Sequence, residues 1–421
     1  MSYENKLMQM KQLLGKAKPV EAKKAEQPVF QKPEKPLYSQ QWEAAGLKLV
    51  ENDFGVYFEY KVEYPYDYQH GRYRLGELFE ALAIWEERGM EHPYAASTEE
   101  QLIFYDTETT GLKGTGTHIF LNGLLEDTGD SFVLTQQVLA DPSNEAAFLF
   151  ASKLWQRQAT IVSYNGKSFD WPQLEMRWTL NRPYLPPLKQ QRQIDLLHSS
   201  KRFWRNDMEA MKLTKVESEK LGFNRVGDIP GHLAPIIYFD AVKSGNATTL
   251  MKILKHNEWD LLSLITLYIH STKLLFEEMA ESSITKTNIG KWYKDLKYET
   301  LSKLNLIEVT QKFPEEEAGV AHFYLGLHYK KDKDALAALK AFEIASQHTD
   351  ARMREDAFLH MAIIYEHQLK DYPAALTMTY AGQAICEADA ARTKAKENRL
   401  LKWTARKERL EQKIYYAPSE K

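Results

Sequence analysis

The sequence predicts an α/β domain, a mixed sheet flanked by helices, followed by an all-α region. Three observations carry this. Residues 101–277 read in the order strand, strand, strand, helix, strand, helix, with connections between the first three strands short enough for antiparallel hairpins. The stretch "NATTLMKILKHNEWDLLSLITLYIHSTKLLF" reads as one long helix, because Leu254, Leu261, Leu264, Ile265 and Tyr268 recur at helical spacings. From about residue 318 the pattern changes to paired helices.

Taken in order, residues 1–37 hold a short amphipathic helix candidate and then "KAKPVEAKKAEQPVFQKPEKP". This Lys/Pro-rich tract carries too little apolar surface to fold and is expected to be a flexible arm. Residues 38–100, rich in aromatics ("FGVYFEYKVEYPYDY") and with a helix candidate "LGELFEALAIWEERG", are expected to pack over one side of the main domain. That domain spans 101–280. Its strands are "QLIFYD", "THIFLNGLLED", "FVLTQQVLA" and "TIVSYN"; helices are expected over "PSNEAAFLFASKLWQRQ" and from "DWPQLEMRWTL", and the stretch before the long helix reads as mostly helical. Residues 281–421 form the helical region. There Gly326, Tyr329, Ala338, Phe342 and Ala345 are spaced 3, 9, 4 and 3 apart, and Ala362, Tyr365, Ala375, Thr379 and Gly382 are spaced 3, 10, 4 and 3. Small residues opposite an aromatic, repeating at about 36 residues, resemble the tetratricopeptide repeat of about 34.

Composition excludes several classes. With 43% hydrophobic and 27% charged residues the chain reads as a soluble globular protein. No apolar run approaches the roughly 18 residues of a membrane span, and the N-terminus lacks a secretion signal, so a cytoplasmic protein is expected. The single cysteine, Cys386, rules out an internal disulfide or a cysteine-based zinc site. A net charge of −3 gives no global attraction to nucleic acid. Locally, residues 151–225 carry fourteen Lys/Arg against seven Asp/Glu, interleaved with aromatics as in "KRFWR". That combination suits phosphate tracking with base stacking, or else a solvated basic face whose aromatics are core.

The chemistry is concentrated in acids. In "FYDTETTGL" Asp106 and Glu108 follow a buried-strand pattern, and residues two apart on a strand project to the same face. Two such anions repel unless a cation lies between them, and carboxylate oxygens suit Mg²⁺ or Mn²⁺. Asp170 follows the fourth strand in "YNGKSFDWPQL", and "HNEWDLLSL" stacks His256 and Asp260 one helical turn apart. Asp260 inside an otherwise apolar helix is costly to bury unless paired or metal-bound. Four acids from two strand ends and two helices can hold two metal ions, one activating water and one stabilising the leaving oxygen of a phosphodiester.

The segments "DTETTGL", "YNGKSFD" and "HNEWD", in that order, resemble the three motifs of the DEDD exonuclease superfamily, built on the ribonuclease-H-like fold. With "DIPGHLAPIIYFDAV" added, residues 40–277 resemble the YprB-like (mitomycin repair factor B-like) subfamily, with the tetratricopeptide-like region behind. The resemblance implies a metal-dependent 3′-to-5′ exonuclease acting on DNA (single strands or 3′ ends) in repair. It implies two Mg²⁺ or Mn²⁺ ions on Asp106, Glu108, Asp170 and Asp260, with His256 as general base. It also implies work beside a repair helicase, which the tetratricopeptide-like helices would dock. Three residues separate His256 from Asp260, the spacing of the tyrosine type of DEDD enzyme rather than the histidine type.

Substrate contacts are expected from Thr109 and Leu112 at the 3′ nucleotide, from Asn165 on the substrate strand, and from the cations Lys167, Lys201 and Arg202. Thr109 and Leu112 read almost equally as local turn packing, and Asn165 as a turn closure. Asp195 and His198 are assigned a structural or substrate-contact role. "GLKGTGT" lacks the Lys-Ser/Thr ending of a phosphate-binding loop and reads as a turn. The rival functions are an RNA-trimming exoribonuclease with the same site and a non-catalytic nucleic-acid-binding scaffold. Decay to a scaffold would be expected to lose at least one of the four acids.

Overall fold

The computed structural model describes residues 30–111, 114, 116–390 and 393–416. The elements of the α/β part are α1 (Ser39–Ala44), β1 (Lys48–Asn52), β2 (Gly55–Tyr64), β3 (Gln69–His70), β4 (Tyr73–Arg74), α2 (Glu77–Arg88), β5 (Leu102–Thr109), β6 (Ile119–Asp127), β7 (Phe132–Leu139), α3 (Glu145–Ala151), β8 (Thr160–Ser163), α4 (Asp170–Leu180), β9 (Arg192–Asp195), α5 (Leu196–Trp204), α6 (Leu213–Val216), α7 (Ala234–Ser244) and α8 (Leu250–Phe276). Helices then continue without strands: α9 (Ser283–Asp295), α10 (Glu299–Lys312), α11 (Glu315–Lys331), α12 (Ala335–His348), α13 (Ala351–Ile364), α14 (Tyr372–Ala388) and α15 (Lys394–Tyr416).

The central sheet has seven strands in the order β1-β2-β7-β6-β5-β8-β9. Hairpin-linked β5, β6 and β7 pair antiparallel, whereas β5–β8 and β8–β9 are parallel. The mixed sheet flanked by helices and the helical region behind it are therefore both present. Strand β5 is central because both its faces are apolar. Phe104 enters one buried cluster with Leu261, Leu264 and Ile265 of α8, while Ile103 and Tyr105 enter another with Leu174 and Trp178 of α4.

The fold departs from the sequence expectations at three points and decides between two alternatives at a fourth. Residues 38–100 do more than lie over the sheet: β2 pairs with β7 along eight residues from Tyr57 to Tyr64, while α1, through Trp42 on Phe58, and α2, its Trp85 Nε1 donating to Thr272 Oγ1 at 3.0 Å, act as covers. The helix expected over "PSNEAAFLFASKLWQRQ" ends at Ala151, because Lys153 takes a left-handed φ of 55° that an α-helix cannot continue. The stretch expected to be mostly helical contains β9, only four residues long with three of them polar, whose strand character comes from pairing with β8. The aromatics of the basic segment are core: Phe203 and Trp204 are fully buried, and Trp171 and Trp178 nearly so. Of the basic segment's stacking-or-solvated alternatives, these four side chains fit the second.

Of the arm expected over 1–37, residues 1–29 lie outside the described residues. Residues 30–37 run along the sheet, with Phe30 against Phe54 and Tyr184, and Lys32 and Lys35 paired to Glu51. At the other junction, Ile289, Trp292 and Tyr293 of α9 join the same buried cluster as α8, so α9 is packed onto the α/β part. Beyond it each helix packs chiefly on its neighbours in sequence, and small residues face aromatics: a Cβ on Gly326 would meet the Phe342 ring at 2.7 Å. No described helix is long and apolar enough to cross a membrane.

Candidate active site

Strand β5 delivers Asp106 and Glu108, and α8 passes beside it. Asp106 pairs in register with Gly123 of β6, and a Cβ at Gly123 would lie 2.2 Å from Asn257 Oδ1 and 2.6 Å from Leu261 Cδ1. Glycine there lets α8 settle on the sheet closely enough for Asn257 Nδ2 to donate to Asp106 Oδ2 at 2.8 Å. Helix α4 brings Asp170 from the other side. The Asp170 carboxylate accepts from the backbone N–H of Thr107 at 3.2 Å and from the Thr107 hydroxyl. Gly166 makes this approach possible, since a Cβ there would collide with Ser163 Oγ at 2.3 Å.

The acids are close enough to act on one another. Burial raises the Asp106 carboxyl well above the ordinary carboxylate range, and Asp260, Asp170 and Glu108 add to it. Burial and then Asp260, Asp170 and Asp228 push Glu108 up to about 8. Burial also raises Asp170, to about 6, against the hydrogen bonds from Thr107. Ligand atoms of Glu108, His256 and Asp260 all lie within 4.8 Å of one another. Carboxylates driven toward their neutral forms by burial and by one another fit a divalent cation, whose charge offsets both. The oxygen-rich donor set suits Mg²⁺ or Mn²⁺.

A second layer of charge surrounds this cluster. His256 Nδ1 is 2.6 Å from Asp228 Oδ1, and its Nε2 is 3.4 Å from Asp260 Oδ2. Burial would raise Asp228, but the hydrogen bond and charge of His256, with Arg225, hold it below the usual range. The Arg225 guanidinium reaches Glu217 at 2.6 Å, Asp228 at 3.2 Å and Asp260 at 2.5 Å. Burial works against its charge, yet Glu217 and Asp260 outweigh burial and keep it protonated. Glu217 itself is raised by burial, against Arg225.

The expected residues thus fall into groups. Asp106, Glu108, Asp170, Asp260 and His256 come together. Lys167, Lys201 and Arg202 line a neighbouring cleft whose lining includes none of those five. Thr109 turns its hydroxyl to its own loop, donating to Gly111 O at 2.8 Å, and Leu112 lies outside the described residues. Asn165 adopts a left-handed φ of 68°, and its backbone N–H donates to Asp195 Oδ1 at 2.8 Å. Asp195 also accepts from the N–H of Lys167 and caps α5 through Leu197 N, so it fixes the loop that leads to Asp170. Arg225, Asp228, Glu217 and Asn257 do not stand out in the sequence patterns. Asp228 lies within "DIPGHL", but nothing periodic links it to His256.

Comparison with known proteins agrees with this architecture. Residues 103–272 match the RNase_H superfamily. The chain is 36% identical over 400 residues to the uncharacterized protein YprB of Bacillus subtilis (strain 168), covering 92% of this chain and 94% of that protein.

Proposed function

We propose, from the premise that this chain belongs to the family of YprB and carries a ribonuclease H superfamily domain, that it is a two-metal 3′-to-5′ exonuclease acting on DNA during repair. The observation that carries this reading is the grouping of Glu108, Asp260 and His256, with Asp106 and Asp170 near enough for the acids to raise one another. Asp106, Glu108, Asp170 and Asp260 would hold the cations. When bound, two such ions activate a water and offset charge on the leaving oxygen of a phosphodiester.

The chain's own groups supply the rest. Asp228 accepts the Nδ1 proton of His256, which leaves Nε2 free to take a proton from the attacking water. Asn257 holds the Asp106 carboxylate in one orientation. Arg225 fixes Asp260 and Asp228 together, so the histidine and its neighbouring acid share one frame. In the same reading the helices from α10 onward, with their tetratricopeptide-like spacing, dock a partner such as a repair helicase.

The test is hydrolysis of 3′-labelled single-stranded DNA and RNA with Mg²⁺, with Mn²⁺ and with EDTA. Release of 3′ nucleotides from DNA with either metal and none with EDTA is the expected result. Faster attack on RNA would make the protein an exoribonuclease, and binding without hydrolysis would make it a scaffold.

A further inference from the structure

A cleft of about 1040 Å³ lies beside the acid cluster, between the α/β part and the helices C-terminal to it. Six cations line it: Lys167 from the loop before α4, Lys201, Arg202 and Arg205 from α5 and its end, and Lys291 and Lys294 from α9. Two carboxylates share the lining, Asp195 and Asp295. Asp195 is spent on the backbone of the Asn165–Lys167 loop, and Asp295 pairs with Arg202 at 2.6 Å. Among the described residues, Lys167, Lys201, Arg205, Lys291 and Lys294 form no ion pair. Burial lowers the Lys291 ammonium, and Arg205 adds to the effect, so this positive charge is held together at a cost.

The far wall is built rather than incidental. Lys291 and Lys294 each stand 5.2 Å from the centroid of the Tyr324 ring of α11, which fixes both ammoniums on the cleft side of α9. The near wall adjoins the acid cluster through the Asn165–Lys167 loop: Asp195, which lines the cleft, holds that loop, and a Cβ on Gly166 within it would lie 3.5 Å from Asp170 Oδ2. Uncompensated cations on two facing walls call for a polyanion, and a cleft opening beside phosphodiester chemistry selects a nucleic-acid backbone.

We propose that this cleft grips the phosphates of a single strand whose end lies among the acids, with α9 and α11 as its outer wall. The proposal deepens the nuclease reading and rests on it. It makes the first helices after the α/β part substrate-binding elements, in addition to any docking role of the later ones.

The experiment compares the full-length wild type with Lys291→Gln/Lys294→Gln and, on the opposite wall, with the exposed Lys201→Gln. Binding of a fluorescent oligothymidylate is followed by anisotropy as salt is raised, in EDTA. Each phosphate contact contributes about 0.7 to the salt slope for a single strand, so the double variant should bind more weakly with a slope shallower by about 1.4, and Lys201→Gln by about 0.7. Hydrolysis of a dinucleotide, too short to span the cleft, should proceed at the wild-type rate in Lys291→Gln/Lys294→Gln while the longer strand is degraded more slowly. A wild type with no salt-dependent binding, or variants that bind like it, overturns the cleft. If the wild type binds with the expected slope and hydrolyses neither substrate, the nuclease reading fails and the cleft stands.

Discussion

Asp228 and His256, 28 residues apart in the chain, meet with Oδ1 and Nδ1 separated by 2.6 Å. The contact holds the imidazole with its Nε2 3.4 Å from Asp260 Oδ2. Histidines that act in proton transfer are commonly held this way by a carboxylate.

His256→Ala should therefore lower kcat by about 10² to 10⁴, the usual worth of a general base. Asp228→Asn should cost about 10- to 100-fold, as losses of an orienting partner do. The double variant should be little worse than His256→Ala, since the two act as one unit. The Mn²⁺ titration midpoint should stay near wild type in all three, because the four carboxylates remain. A large shift in the midpoint for His256→Ala would make the imidazole a ligand.

Asp106→Asn should abolish hydrolysis while raising the melting temperature of the metal-free protein. The amide keeps the volume and can still accept from Asn257, and it removes a charge that burial and three neighbouring acids oppose. Thermal unfolding in EDTA and a hydrolysis assay check the two halves.

The metal-free protein should lose stability as pH rises from about 4.5 toward about 8, the value to which burial and the neighbouring acids raise Glu108. Over this window the folded state holds a proton that the unfolded chain has released, so each step upward in pH favours unfolding. Saturating Mn²⁺ should flatten the dependence, and the metal-induced rise in melting temperature should be larger at pH 8 than at pH 6. A shift that is equal at both would separate the cation from Glu108.

Arg225→Met should destabilise the fold by about 3–5 kcal/mol, because it leaves the buried Glu217 carboxylate without its partner. Arg225→Lys should recover part of the loss, since it keeps the charge but cannot span Glu217, Asp228 and Asp260 together. Denaturant unfolding at pH 7 provides the measurement.

Gly123→Ala should cost about 1–3 kcal/mol by overpacking and should lower activity as well. The added methyl must push Asn257 and Leu261 away, and with them the turn of α8 that carries His256 and Asp260. Wild-type kinetics in a folded Gly123→Ala protein would show that the strand–helix approach does not set the site.

Much of this was local and therefore legible in the chain. Asp106 and Glu108 share a face because strands have a period of two, and His256 and Asp260 because helices return after four residues. The hairpin strands β5, β6 and β7 and the long α8 announce themselves through apolar spacing and short turns. What the tertiary structure decided has no such period. Strand β9 is four residues long and exists by pairing with β8, and β2 belongs to the sheet because β7 offers it an edge. Arg225 reads in the sequence as one more cation of a basic segment, but folding buries it against Glu217, Asp228 and Asp260. "KRFWR" reads either as a stacking surface or as a basic face over core aromatics, and only packing decides: its aromatics fill the core and its cations reach the cleft. Periodicity fixes what a side chain's own element does with it, whereas a partner 28 or 35 residues away is fixed by how the elements pack.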